Sequence, residues 1–223
     1  MSSPFFLTRF CRLWREIGHF KVPPCSLLAR AAADAKSAGD AFELHLAVPA
    51  IGPGPAPAED QYDYLPALFA RSFFDSPVFR IERAILRFAG HGAPTTSAEI
   101  QSMKFASVAD VDTVAIWRYA EGTDRDLLFQ WASGRYSGGT WFLAERQPGE
   151  ASVRLMFGSY LDNPLRDMIG QGIGAPGDET RSAGARARLL NGFHLAYARI
   201  LLAAAGAHFE EALLHQAGMD GQR

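Results

Sequence analysis

Several residue types and patterns that would point to a particular class of protein are scarce in this chain of 223 residues. The only two cysteines, Cys11 and Cys25, lie near the N-terminus and cannot cross-link the rest of a fold of this size, which fits a reducing compartment. No run of about 18 apolar residues occurs, and the first residues lack the pattern of a cleaved signal peptide. We therefore expect a cytoplasmic protein.

An excess of positive charge is also missing. The formal net charge is −2, and the arginines, which are 19 of the 22 basic residues, are scattered along the chain. Proteins that bind nucleic acid concentrate positive charge on one surface, so nucleic acid is not a predicted partner. What is present is apolar: 48% of the residues are hydrophobic, which is enough for the core of one large domain.

Motifs that carry catalysis or bind cofactors are missing as well. The stretch GIGAPG, residues 172–177, has the glycine spacing of a dinucleotide site, but no strand–helix–strand unit surrounds it, so it predicts a loop. His208, Glu211 and His215 share one helical face without companion ligands elsewhere. No G-x-S-x-G motif accompanies the serines. We predict no metal and no cofactor, and the sequence assigns no catalytic residue.

The first segment predicts an amphipathic helix. Helical spacing relates four of its apolar residues, Phe6, Phe10, Leu13 and Ile17. Pro23 and Pro24 end the helix. Its apolar face either packs on its own domain or on a sister subunit, which would give a homodimer, or contacts an anionic membrane through residues 5–20. We divide the chain into this helix and a linker (1–30), one domain (31–217) and a tail (218–223).

The domain begins with a strand and two helices. Residues 42–48 alternate between apolar and polar, as a half-buried strand does. Residues 62–89 carry apolar residues at helical spacing on either side of Ser76 and Pro77, which suit the cap and first turn of a new helix. We predict two tandem helices there.

The second half predicts an antiparallel meander and a long helix. Four strands are predicted at residues 113–121, 126–133, 140–146 and 152–160, and the links between them are short. The C-terminal helix has one apolar stripe, formed by Leu190, Phe193, Tyr197, Ile200 and Ala204. The fold class is therefore α+β, in which this helix covers one face of the sheet. Five strands are predicted in all.

The segments DYLPALFARSFFDSPVFRIERAILRFAG, LLFQWASGRYSGGTWFLAERQPGEASVRLMFGSY and GFHLAYARILLAAA resemble the helix-grip (START-related, SRPBCC) superfamily, in particular a bacterial branch with similar L-x-F-G-S strand ends. The resemblance spans residues 31–206. It implies a curved antiparallel sheet wrapped around a long C-terminal helix, with two tandem helices after the first strand. It also implies a cavity between sheet and helix, which the superfamily uses for lipids, polyketides and other hydrophobic molecules.

Strand alternation and helix spacing select the rings that would line such a cavity. Alternation places Leu127, Phe129 and Trp131 on one face of their strand, and Phe157 on one face of the last strand. The predicted ligand-binding residues are Trp117, Tyr119, Phe129, Trp131, Trp141, Phe157, Phe193 and Tyr197. Trp141 shares the face of Phe157 only if the turn at residues 147–151 has an odd number of loop residues, and this register is assumed. The alternative is that the same rings fill an ordinary core.

Three functions follow from this architecture. The first is binding, for storage or transfer, of a hydrophobic small molecule such as a lipid or polyketide between the sheet and the C-terminal helix. The second is a cyclase- or hydrolase-type enzyme in the same cavity, with His194, Tyr197 or Arg154 pointing inward. The third is an interaction or membrane-docking module that uses the N-terminal helix. Arg118, Arg146 and Arg154 are predicted to be exposed on the strands.

Overall fold

The computed structural model describes residues 4–37, 39–47, 65–90, 96–105, 113–133, 136–147, 151–162 and 179–220, apart from the side chains of residues 4–5, 136, 179–191, 193 and 216–220. The helices in these ranges are α1 (Pro4–Glu16), α2 (Leu27–Asp34), α3 (Leu65–Phe74), α4 (Pro77–Phe88), α5 (Ser97–Ser102) and α6 (Glu179–Asp220). The strands are β1 (Gly18–Phe20), β2 (Gly39–Ala47), β3 (Thr113–Val114), β4 (Trp117–Gly122), β5 (Asp126–Ser133), β6 (Tyr136–Arg146) and β7 (Ser152–Leu161).

All seven strands form one curved antiparallel sheet in the order β1-β2-β7-β6-β5-β4-β3. The predicted α+β class and the antiparallel meander are confirmed, whereas the predicted number of strands is too low. Strand β1 was not predicted, and residues 113–121, predicted as one strand, form the two strands β3 and β4. Val114 pairs with Trp117 across a tight turn in which Ala115 has a φ of 54°. Nothing in the alternation of residues 113–121 marks that turn.

The two faces of the sheet carry separate apolar clusters. One face, here called the helix face, is covered by α1, α3 and α6 and buries Leu44, Phe129, Phe142 and Phe157. The other, here called the outer face, is covered in part by α2. Its cluster contains Leu28, Leu128, Trp141, Met156 and Tyr160.

Trp141 is on the opposite side of the sheet from the position predicted for it. Phe142, and not Trp141, pairs with Phe157 across β6 and β7. Because side chains alternate along a strand, Trp141 faces α2 on the outer face, where its indole N–H donates to Asp126 at 2.8 Å. Trp141 therefore does not line the space between the sheet and α6.

The tandem helices α3 and α4 are confirmed, with Ser76 as the N-cap of α4 and Pro77 in its first turn. All ten residues of α3 are buried, because this helix lies against both the sheet and α6. The short helix α5 was not predicted, although Thr96 and Glu99 form a capping box at its start.

Helix α1 packs on α6, which is the first of the alternatives that the sequence left open for its apolar face. Leu13 and Ile17 belong to the same core cluster as the sheet. Arg12 pairs with Glu210 at 3.0 Å, and Arg199 donates to the carbonyls of Trp14 and Ile17 at 3.2 Å. Helix α1 and the domain predicted from residue 31 therefore share one core cluster.

Candidate functional site

Four of the predicted ligand-binding residues belong to one buried cluster on the helix face: Trp117, Tyr119, Phe129 and Phe157. Phenylalanines of the tandem helices occupy the space in front of them. Ring centroids are 4.9 Å apart for Phe73 and Phe157, 5.0 Å for Phe74 and Phe129, and 4.9 Å for Phe79 and Trp117. At these distances the rings touch. Tyr119 is buried as well and packs against Phe105 and Phe129, so all four residues serve as core.

The other four predicted residues are not part of this packed set, and Trp141 is on the outer face. Trp131 is only half-buried there. Tyr197 reaches α4, where its hydroxyl donates to Glu82 at 2.6 Å. The side chain of Phe193 lies outside the described residues. Of the predicted ring set, Trp131 and Tyr197 are thus the members that are only partly buried against the core of the helix face.

A polar cluster lies where β2 and β7 meet α6. The Nε2 atom of His194 is 3.4 Å from Oγ of Ser159 and 3.7 Å from Oδ2 of Asp40, while His19 lies 3.7 Å from Oδ1 of the same aspartate. Ser159 and Asp40 are partners across the two strands. In a Ser-His-Asp relay, the serine and the aspartate bind different ring nitrogens of the histidine. Here both face Nε2, so the cluster is not a relay.

The other residues proposed for catalysis are engaged elsewhere. Arg154 was predicted to be exposed, but its side chain is only 21% exposed, and it pairs with Glu43 at 3.0 Å and Glu145 at 3.2 Å. Arg118 and Arg146 are exposed as predicted. Among the described residues, no group of three or more His, Cys, Asp or Glu side chains is arranged to hold a metal ion.

Helix α4 exposes an apolar stripe to solvent. Ile81, Ile85 and Phe88 follow one another at four- and three-residue intervals, so they share one face of the helix. They are 64%, 62% and 93% exposed, and they are three of the five exposed large apolar side chains in the described parts of the chain. The core-facing side of α4 is formed instead by Phe79, which is buried, and Leu86, which is partly buried.

Arginines border this apolar stripe and line a cleft between α4 and α5. Arg80 and Arg87 are seven residues apart and run along one edge of the stripe. With the buried Arg83 they face a cleft of about 770 Å³. The remaining lining residues are Ala84, Phe88, Thr96 and Ser97.

A second cleft, of about 540 Å³, lies between α2 and the outer face. Its charged side chains are of both signs, since Arg30 and Arg118 lie among Asp34, Glu121 and Asp162. Arg30 is already paired with Glu121. This mixture favours no single class of ligand.

The α4 surface was missed by sequence reasoning because apolar residues occur on both sides of that helix. A helical projection of residues 77–88 would have shown two apolar faces, of which only one can face the core. In the described part of the chain, no helix combines the length and the apolar composition needed to cross a membrane. No family model, curated protein or solved structure matches this chain, so the assignment of a function depends on the geometry described above.

Proposed function

We propose that this protein binds the surface of anionic lipid membranes and that α4 is the element that enters the interface. The observation that supports this proposal is the exposed stripe of Ile81, Ile85 and Phe88, with Arg80 and Arg87 along its edge. An interfacial helix lies in the membrane plane with its apolar face in the acyl boundary and basic residues at the headgroups.

The free energy expected for membrane binding through α4 is that of reversible attachment. Burial of a large apolar side chain contributes roughly 1.5–3 kcal/mol when it is complete, and less when insertion is partial. An arginine near an anionic surface contributes about 1 kcal/mol. Three apolar side chains and two arginines therefore provide several kcal/mol, which supports peripheral attachment that responds to salt.

A lipid surface suits this stripe better than a second copy of the chain. A two-fold dimer pairs a surface with itself, so it would bring the arginine edge of α4 into the interface twice. An anionic membrane instead offers the opposite charge. Helix α1 is less suited to insertion than α4, because Leu13 and Ile17 are buried in the core and Phe6, Phe10 and Trp14 pack against it.

Vesicle co-sedimentation tests the proposal. The protein should bind vesicles that contain an anionic phospholipid and should bind neutral phosphatidylcholine vesicles weakly. Ile85→Ser should reduce binding at least about tenfold, because it removes one apolar anchor. Leu7→Ser is the matched control, since Leu7 is also exposed, at 58%, but lies on α1.

The outcomes of vesicle co-sedimentation distinguish membrane binding through α4 from binding that also involves α1 and from self-association. Loss of binding in Ile85→Ser with binding retained in Leu7→Ser supports the proposal. Equal loss in both variants would assign the contact to α1 as well, and no binding by the unmodified protein would overturn the proposal. If Ile85→Ser instead dissociates a dimer in sedimentation velocity, the stripe is a self-association surface.

We propose a second function from the resemblance to the helix-grip superfamily, which is supported by the curved antiparallel sheet and the C-terminal helix packed against it. A hydrophobic small molecule would bind at the end of the helix face, because Trp131, Ser159 and His194 are only partly buried there. Native mass spectrometry should detect a retained apolar compound. Trp131→Ala should reduce its retention, whereas Trp141→Phe, on the outer face, should not.

A further inference from the structure

We infer that the arginine-lined cleft between α4 and α5 binds a phosphomonoester group. The cleft adjoins the apolar stripe through Phe88 and Ala84, which belong to its wall. The inference rests on the proposed membrane function where the phosphomonoester is a lipid headgroup. The same chemistry would also bind a free phosphomonoester, and the two sources are separated by experiment below.

The charges of the cleft favour an anion. Arg80, Arg83 and Arg87 line it, and Asp75 is the carboxylate with which Arg80 and Arg83 form ion pairs in the described part of the chain. Arg80 approaches Oδ1 of Asp75 to 3.0 Å and Arg83 approaches the same atom to 3.8 Å. Asp75 therefore pairs with two of the three guanidinium groups that line the cleft.

Asp75 is also occupied by other donors. Its carboxylate accepts hydrogen bonds from Ser97 at 2.5 Å and from Gln101 at 3.3 Å, in addition to the bond from Arg80. Glu99, the other nearby acid, accepts from the backbone and hydroxyl of Thr96. Among the described residues that line the cleft, three are arginines and none is acidic.

This arrangement favours a phosphomonoester over a phosphodiester. A phosphomonoester carries a charge of about −1.5 to −2 at neutral pH, whereas a phosphodiester carries one negative charge. A guanidinium group can donate two parallel N–H bonds to two oxygens of one phosphate. Arg87 has no ion-pair partner among the described residues. It can therefore bind the terminal phosphate oxygens together with Arg80, which lines the same cleft. If the stripe enters the acyl boundary, the cleft lies at headgroup height.

Vesicles of matched surface charge test the inference. Phosphatidic acid and phosphatidylglycerol would each be mixed with phosphatidylcholine in proportions that give equal zeta potentials. The unmodified protein should prefer the phosphatidic acid vesicles about tenfold, which is the effect of one charge-assisted contact. Arg87→Gln should bind both vesicles equally, while the control Arg118→Gln, on the other side of the sheet, should keep the preference.

The outcomes separate the two proposals. Equal binding to both vesicles by the unmodified protein would overturn the phosphomonoester site and leave the membrane function standing. If no vesicle is bound but calorimetry shows that inorganic phosphate or glycerol phosphate binds and that Arg87→Gln abolishes this binding, the site stands and the membrane function fails. Loss of the preference in Arg118→Gln as well would show that net charge alone is sensed, and would also overturn the site.

Discussion

The hydroxyl of Tyr197 donates a 2.6 Å hydrogen bond to Oε2 of Glu82 and joins α6 to α4. Burial raises the pKa of Glu82 above its ordinary value, although the bond from Tyr197 opposes this shift. Burial and the adjacent carboxylate raise the pKa of Tyr197, which therefore keeps its proton and remains the donor. The contact fixes the helix that carries the exposed apolar stripe.

Tyr197→Phe should destabilise the protein by about 1–3 kcal/mol at neutral pH, because a partly buried carboxylate loses its donor. The phenyl ring fills nearly the same volume, so the loss reports the hydrogen bond rather than packing. Urea unfolding measures this difference. If the variant is as stable as the unmodified protein near pH 7, the bond has no net effect on the folded state.

Glu82→Gln should stabilise the protein relative to the unmodified chain in neutral solution, and the advantage should vanish in acid. The raised pKa means that folding favours protonated Glu82, so the stability that it contributes is fully present below its ordinary pKa of 4.5 and is lost as the pH rises through the folded value. Glutamine is neutral throughout and still accepts from Tyr197. Unfolding free energies of both proteins across this pH range provide the measurement, and parallel curves would contradict the expectation.

One helix cap and the alternation of two strands, which depend only on neighbouring residues, were predicted correctly from the sequence. Ser76 and Pro77 mark the break between α3 and α4, and alternation placed Phe129 and Phe157 on the correct face of the sheet. The error at Trp141 arose between strands, because the position of β6 relative to β7 depends on the turn that joins them. A shift of one residue moved that ring to the other face.

Contacts between distant segments were beyond sequence reasoning. The partner of Arg154 is Glu43, which is 111 residues away, and His194 meets Asp40 and Ser159 from a different element. The exposure of Ile85 also depends on contacts with distant segments, because the helical pattern of α4 is compatible with burial of either apolar face. Only the packing of α4 against α6 decides which face is left in solvent.

Leu13→Ala should destabilise the protein by about 2–5 kcal/mol, because a side chain with no exposed surface is replaced by a cavity. Leu7→Ala in the same helix is the control and should change stability by less than about 0.5 kcal/mol, since Leu7 is exposed. Both variants have the same helical propensity change, so their difference isolates burial. Chemical denaturation measures it, and equally small effects would show that α1 is an appendage rather than part of the core.

Gly158→Ala should destabilise the protein by about 1–3 kcal/mol, because β7 and α2 leave no room for a methyl group at this position. An added Cβ would lie 2.4 Å from Cδ2 of Leu28 and 2.7 Å from the backbone carbonyl of Asp40, so either α2 or β2 must shift. Gly18→Ala is the matched control in another strand, where an added Cβ meets nothing within 4 Å. Alanine is preferred to glycine inside strands on entropic grounds, so the control should be neutral or slightly stabilising. Thermal unfolding of the two variants therefore separates close packing from strand propensity, and a stable Gly158→Ala protein would mean that α2 does not lie against β7 as described.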